Sequence, residues 1–340
     1  MIPSSGRVCA AIDLGTVTSR LLVACVDEDA ITPLVRRTVI THMGEGLNTS
    51  GFICDAAIQR VLDAAEQFNE ALRDLRSELA GEGEEALRIP VYAVATSAMR
   101  DARNSARVVE LLATQGIDVE IIEGSREAKL SFQGTLSGFP LLLPEQNRQV
   151  MIIDVGGGST EVIAGLQSVS SSGAQNLLLQ QAISFDIGSR RVTERFLHSD
   201  PPAASELEAA RTWIAEEISP FFATLEPTVN GKRRMVFAVA GVSTTTVSIL
   251  RQMVQYDPKQ VHATVVSSDE LAGILERLST ITLAQRRSIV GLEPERASVI
   301  VGGMLTLLEM LRAAGASEFV VSETDILEGI LLEYSQETPI

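Results

Sequence analysis

One plan is written twice in this chain. Ala10-Ala11-Ile12-Asp13-Leu14-Gly15-Thr16 and Ile152-Ile153-Asp154-Val155-Gly156-Gly157-Gly158 each read as an apolar strand, an aspartate at its end and a glycine-bearing turn, with a second strand returning. The copies stand about 140 residues apart, too long a period for a solenoid. The chain has 340 residues, room for two domains at about 100–200 residues each. One copy per domain is therefore expected. Strands and helices alternate around both copies, the pattern of an α/β protein. Two duplicated domains flanking a cleft would bring both turns to one ligand.

Strands are expected at 7–13, 20–26, 89–95 and 119–122, and helices at 104–114 and 125–136. The spacing of Ile58, Val61, Leu62, Ala65, Phe68, Leu72, Leu75 and Leu79 predicts a long amphipathic helix over 55–79, ended by a solvated loop at Gly81–Glu85. Gly138, Phe139, Pro140 and Pro144 mark the boundary. The domains are read as 1–137 and 138–323, with a closing helix in 324–340 packing back on the first. The second half opens on a strand at 150–153 and a return strand from 162, with a polar hairpin tip at 168–173. Helices follow at 191–197, 204–222, 242–253, 268–279, 293–313 and 325–334, and strands at 235–239 and 319–321.

A net charge of −16 argues against DNA, whose non-specific binding needs a basic face. Aromatic residues are 4% of the chain, too few for a base-stacking platform. No apolar run reaches the roughly 20 residues of a membrane span, and residues 1–6 lack the charged and apolar regions of a signal peptide. A cytoplasmic protein is expected. The three cysteines and three histidines are scattered without CxxC or HExxH spacing, so neither structural zinc nor a histidine triad is indicated. The chemistry falls to carboxylates.

A glycine turn after a strand lets backbone N–H groups converge on an anion. Neither turn is a P-loop, since no Lys-Ser/Thr follows. Neither is a dinucleotide fingerprint, since Glu161-Val162-Ile163 continues as strand. What remains is a strand–turn–strand phosphate clasp with a carboxylate at its base, a setting that suits Mg²⁺. A tight hairpin explains Asp13-Leu14-Gly15 equally well, but not three successive glycines with their entropic cost.

The segment from Ile152 to Glu161 resembles the signature of the exopolyphosphatase and guanosine pentaphosphate phosphatase family, of the actin, Hsp70 and sugar-kinase (ribonuclease H-like) fold. Ile12–Thr16 with Arg20, Ala95–Asp101 and Ile122–Ala128 resemble its other segments in order, as do Gly188–Phe196 and Ala297–Leu308. The resemblance spans nearly the whole chain and matches a short, two-domain form. It implies two actin-like domains and hydrolysis of a terminal phosphoanhydride. Glu127 would be the base for water, and Arg100 would neutralise the transferred phosphoryl group. Asp154 and Glu161 would hold Mg²⁺ or another divalent cation, with Asp13 joining. Gly156, Gly157, Gly158 and Ser159 would cradle phosphate from one side, and Gly15, Thr16, Thr18 and Arg20 from the other, with Gly241 near them. The substrate would be polyphosphate or guanosine pentaphosphate, with few aromatics for a base, and a homodimer is a common state of relatives. Without the family match, Glu127 reads as an exposed helix glutamate and Arg100 as a solvated helix-end arginine.

Arg190, Arg191 and Arg195, then Lys232-Arg233-Arg234, then Arg286-Arg287 are candidate stretches of a basic track for a polyanion. Departures from the family pattern are His42, Val17, Val242 and Leu327, each replacing a polar or cationic group. They leave two other classes to weigh: a kinase of the same fold, which Glu127 fits less well, and a sensor that binds without turnover.

Overall fold

A computed structural model describes residues 6–27, 30–79, 88–139, 148–169, 175–225, 228–229 and 232–337. Gly81–Glu85, Pro140, Pro144 and the hairpin tip from 170 to 173 lie outside the described residues. The chain divides into two compact units, Met1–Ser137 with Ile326–Ile340, and Gly138–Asp325.

In chain order the first unit runs β1 (Arg7–Leu14), β2 (Thr18–Val26), β3 (Ile31–Ile40), α1 (Leu47–Ser50), α2 (Asp55–Leu79), β4 (Val91–Ala95), α3 (Ser97–Asp101), α4 (Ser105–Thr114), β5 (Val119–Ile121) and α5 (Gly124–Ser137). The second runs β6 (Arg148–Val155), β7 (Thr160–Val169), β8 (Gln175–Phe185), α6 (Ser189–Phe196), α7 (Ala204–Phe222), the short pair β9 (Thr228–Val229) and β10 (Lys232–Arg233), then β11 (Met235–Val239) and α8 (Ala240–Leu250). It continues through α9 (Pro258–Val261), β12 (Val265–Ser267), α10 (Ser268–Ser279), α11 (Leu283–Arg286), α12 (Ile300–Ala313) and β13 (Glu318–Val321). The last helix, α13 (Ile326–Glu337), belongs to the first unit.

The two sheets share one design. The first has the order β3-β2-β1-β4-β5, and the second β12-β13-β11-β6-β7-β8. In each, three antiparallel strands form a meander, and the strand that carries the turn also pairs in parallel with a crossover strand: β1 with β4, β6 with β11. Parallel strands carry their connections beyond their C-terminal ends, where ligand-binding loops collect in such sheets. The α/β class and the duplicated architecture are as expected.

Helix α2 spans the expected residues because its apolar stripe is unbroken; Ile58, Val61, Phe68 and Leu72 are buried in the first core. The opposite sheet face is covered by α13, which buries Leu327, Ile330 and Leu331 with Leu130 of α5. Both α5 and α13 can approach closely because Gly329 faces Leu130, where an added Cβ would lie 2.0 Å from the Leu130 carbonyl oxygen. The second core gathers Met151, Ile153, Val236, Met304 and Phe319.

Three sequence expectations change. Strands β3, β8, β9, β10 and β12 were not foreseen; β3, β8 and β12 are edge strands, and β3 carries Pro33, Arg36 and Arg37 where an alternating pattern would stand. Helix α12 begins at Ile300 instead of 293, because Arg296 Nε turns back to Glu293 Oε2 at 2.5 Å and the segment winds as a short 3-10 turn. The apolar departures Val242 and Leu327 are core residues, so neither is a lost surface contact. Among the described residues no helix is long and apolar enough to cross a membrane.

Because the atom facing Gly329 is backbone, Gly329→Ala should destabilise the fold by about 1–3 kcal/mol. Urea unfolding checks it; an unchanged midpoint would contradict the close crossing.

Candidate active site

The two turns are built alike. Gly15 N–H donates to the Thr18 carbonyl at 2.9 Å, and Gly156 N–H to the Ser159 carbonyl at 3.0 Å. A Cβ at either glycine would stand 3.0 Å from that same acceptor, closer than a side chain sits comfortably. The ladders then oppose residues seven apart: Asp13 faces Arg20, and Asp154 faces Glu161. Directly opposed residues share one face of a sheet and touch.

Their charges differ between the units. In the first, Arg20 donates from Nη2 and Nε to Asp13 Oδ2 at 2.7 and 3.0 Å. Asp13 thus has its countercharge within the protein, and Arg20 is spent on it instead of standing over an anion. In the second, two buried carboxylates oppose each other, and Glu161 accepts from Ser184 Oγ at 2.6 Å. Like charges in direct opposition destabilise a ladder, and a divalent cation removes the conflict. Among the described residues no three His, Cys, Asp or Glu converge as metal ligands. One or two carboxylates with the rest left to water and phosphate is the donor set Mg²⁺ takes, so Asp154 and Glu161 fit that ion and Asp13 fits it poorly.

The start of α6 orients the glycines. Ser189 N–H donates to Gly156 O and Arg190 N–H to Gly157 O, each at 2.9 Å, and Arg191 Nε donates to Gly158 O at 2.8 Å. A trans peptide points its C=O and the next N–H in opposite directions. With three successive carbonyls turned toward α6, the N–H groups of Gly157, Gly158 and Ser159 all turn away from it. None of the three donates to an acceptor among the described residues. That row of donors is an anion nest. It requires Gly188, where a Cβ would lie 2.4 Å from the Gly157 oxygen.

The first unit turns its own amides the same way. Thr41 and His42 N–H both donate to Val17 O, and Gly44 N–H to Thr16 O, all at 2.9 Å. The N–H groups of Val17 and Thr18 therefore face the opposite side. Val17 enters this turn through its backbone, which tolerates the missing side-chain amide. Beside it, at the ends of the parallel strands, stand Arg100 and Glu127. Thr96 N–H ties the start of α3 to Leu14 O at 3.3 Å. Arg100 Nη1 donates to Ile122 O at 2.8 Å and to Glu127 Oε2 at 2.7 Å. Glu127, in the first turn of α5, is 8% exposed. It is not a solvated helix glutamate, and Arg100 is not a solvated helix end.

Other expectations are corrected. A Cβ at Gly241 would lie 1.7 Å from Arg296 Nη1, so this glycine makes room for a guanidinium, next to Ala240 at φ 66°. Arg190 is buried and ion-paired with Glu194 at 3.1 Å. Arg195 lies over the Trp213 ring at 4.4 Å, and buried Arg286 pairs with Asp200 at 3.0 Å. Arg190 and Arg286 are thus internal struts, and exposed Arg195 is held on an aromatic ring; the side chains of Lys232 and Arg233 lie outside the described residues. Ser184 and Gly188 escaped sequence reasoning, and Arg191, read there as part of a basic track, instead holds the Gly158 carbonyl.

The family model described as the Ppx/GppA phosphatase family matches residues 22–338. Exopolyphosphatase 2 of Mycobacterium tuberculosis is 34% identical over 337 residues, covering 95% of this chain and 97% of its own. A crystal structure of an exopolyphosphatase-like protein superposes with a TM-score of 0.85 at 29% identity, covering 98% of this chain and 99% of that one. The Aquifex aeolicus member of the Ppx/GppA family gives a TM-score of 0.72 at 23% identity over 98% of this chain and all of that one, 100%, a likeness of fold.

Gly188→Ala should push the Gly157 peptide out of line and destabilise the second unit by about 1–3 kcal/mol. Its amide signals at 157–159 should shift by NMR. Unmoved signals would show that α6 does not set the glycine backbone.

Proposed function

The chain belongs to the Ppx/GppA phosphatase family, and we propose that it is an exopolyphosphatase, removing terminal orthophosphate from inorganic polyphosphate. The observation that carries this reading is the row of N–H donors at Gly157, Gly158 and Ser159 beside the opposed carboxylates Asp154 and Glu161. An anion site next to a cation site is what a metal-bound polyphosphate needs. The kinship to exopolyphosphatase 2 supports the substrate class.

Held by Asp154 and Glu161, a divalent cation such as Mg²⁺ would neutralise phosphate oxygens. It would also offset the field of a chain with net charge −16, which otherwise repels a polyanion. Glu127 takes a proton from water, whose oxygen bonds to the terminal phosphorus as the bridging P–O bond breaks. The shortened chain leaves with the electron pair. Arg100, fixed by the Ile122 carbonyl, orients the Glu127 carboxylate and offers positive charge to the phosphoryl oxygens, the largest contribution in such chemistry. In each unit, the backbone N–H groups of Val17 and Thr18 or of residues 157–159 offer donors to phosphate without needing side-chain reorganisation.

Purified protein with Mg²⁺ should release phosphate from long-chain polyphosphate, and comparison with short chains and guanosine pentaphosphate ranks the substrates. Glu127→Gln should lower kcat by about 10²–10⁴-fold while binding persists. Equal turnover would remove Glu127 from the base role. Asp154→Asn should raise the Mg²⁺ concentration for half-maximal rate by about tenfold or more, and an unchanged Mg²⁺ titration would count against ligation there. Binding of polyphosphate without release from any substrate would favour a sensor.

A further inference from the structure

The first unit achieves with a loop what the second achieves with a helix, and that loop depends on one side chain. Between β3 and α1, residues 41–46 supply the three N–H donors that turn the Thr16 and Val17 carbonyls. The loop is itself neither helix nor strand, and side chains of neighbouring elements help to hold it. Thr41 Oγ1 meets Ser19 Oγ at 3.2 Å, Met43 is fully buried in the core, and Gly44 lies so close to Thr16 that a Cβ would stand 2.4 Å from its Cγ2. His42 takes a left-handed φ of 48°, a conformation that persists in a bulky residue only when its surroundings over-determine it.

A further anchor is Arg60, on the second turn of α2. Its Nε donates to Thr41 O at 2.6 Å. Its Nη2 donates to His42 O at 3.3 Å and to Glu45 Oε2 at 2.7 Å. The planar fork spans two successive carbonyls and a carboxylate of one loop, a task that a lysine's single ammonium cannot copy. The carbonyls of Thr41 and His42 point to Arg60 while the N–H groups of the same two residues point to Val17 O. The loop is thus stretched between a helix arginine on one side and the turn on the other.

We infer that Arg60 is a positioning residue for the phosphate-binding turn: through residues 41–46 it sets the direction of the Val17 and Thr18 N–H groups, without touching substrate. This rests on reading the β1–β2 turn as an anion site. His42 and Gly44 belong to the same device, His42 by its backbone and Gly44 by having no side chain.

The test compares Arg60→Ala, Arg60→Lys and, as a control, Arg107→Ala, which removes an exposed ion pair with Asp55. Amide exchange at His42 and Gly44 should quicken by about tenfold or more in Arg60→Ala, with little change at α4. Tripolyphosphate with Mg²⁺, titrated into the hydrolytically impaired Glu127→Gln protein, should bind about tenfold more weakly when Arg60→Ala is added, the size expected for lost charge-assisted bonds. In the otherwise unaltered enzyme, KM should rise by a like factor with kcat within about twofold. Arg60→Lys should fall between, and Arg107→Ala should match the parent.

Unchanged exchange at His42 and Gly44, or faster exchange with unchanged affinity, overturns the inference while leaving the hydrolase reading intact. A wild-type protein that binds tripolyphosphate but releases no phosphate overturns the hydrolase reading; weaker binding in Arg60→Ala then still upholds the role of Arg60. Failure of wild type to bind tripolyphosphate overturns the anion site and the inference with it.

Discussion

A planar trans peptide cannot show its carbonyl and the following N–H to the same side, and both turns are built on that constraint. Neither grips an anion by side chains first. In the second unit the opening of α6 pulls the carbonyls of Gly156, Gly157 and Gly158 one way. In the first, a loop pulls those of Thr16 and Val17. Donors on the far face follow without further instruction. This explains why glycine is demanded at Gly188 and Gly44 as well as within the turns: the bracing element comes against the Gly157 backbone at the first and the Thr16 side chain at the second.

Charge is then decided by one ladder position. Seven residues beyond the strand-terminal aspartate stands Arg20 in one unit and Glu161 in the other. The first choice closes the account internally with an ion pair. The second creates a buried pair of like charges that a dication relieves. Glu127 and Arg100 sit in the unit whose aspartate is already satisfied, so the base is not in competition with a metal for the same carboxylates.

Much of the fold was legible where side chains repeat with a period. Helix α2 was readable to its last residue because eight apolar positions keep one face, and Met235–Val239 because it is a short, fully apolar run between a basic cluster and a glycine. Edge strands β3 and β8 were not: they lie only partly on the cores, through residues such as Val35 and Phe185, and their other positions follow no clean alternation. The chemistry of Asp154 to Glu161 was legible in the glycine run, and Glu127 only through family resemblance, because a lone glutamate on a helix carries no periodic mark. Arginines misled most. Arg190, Arg195 and Arg286 read as a solvated track, yet each has a partner supplied by residues near or far in sequence: Glu194, Trp213, Asp200. Composition counts charges but does not say which are already paired. Arg60 gave no signal at all, because two of its three acceptors are backbone carbonyls.

The shared backbone of the two turns has an evolutionary consequence. Since bracing from outside fixes the peptide planes, the side chain opposite the aspartate takes no part in shaping the turn. The two turns carry different residues there, arginine in one and glutamate in the other, on the same backbone plan. On the proposed reading, a single replacement there separates a self-neutralised turn from one that would recruit a metal. Two copies of one scaffold can thereby divide their labour, and the step that separates them is no larger than one codon.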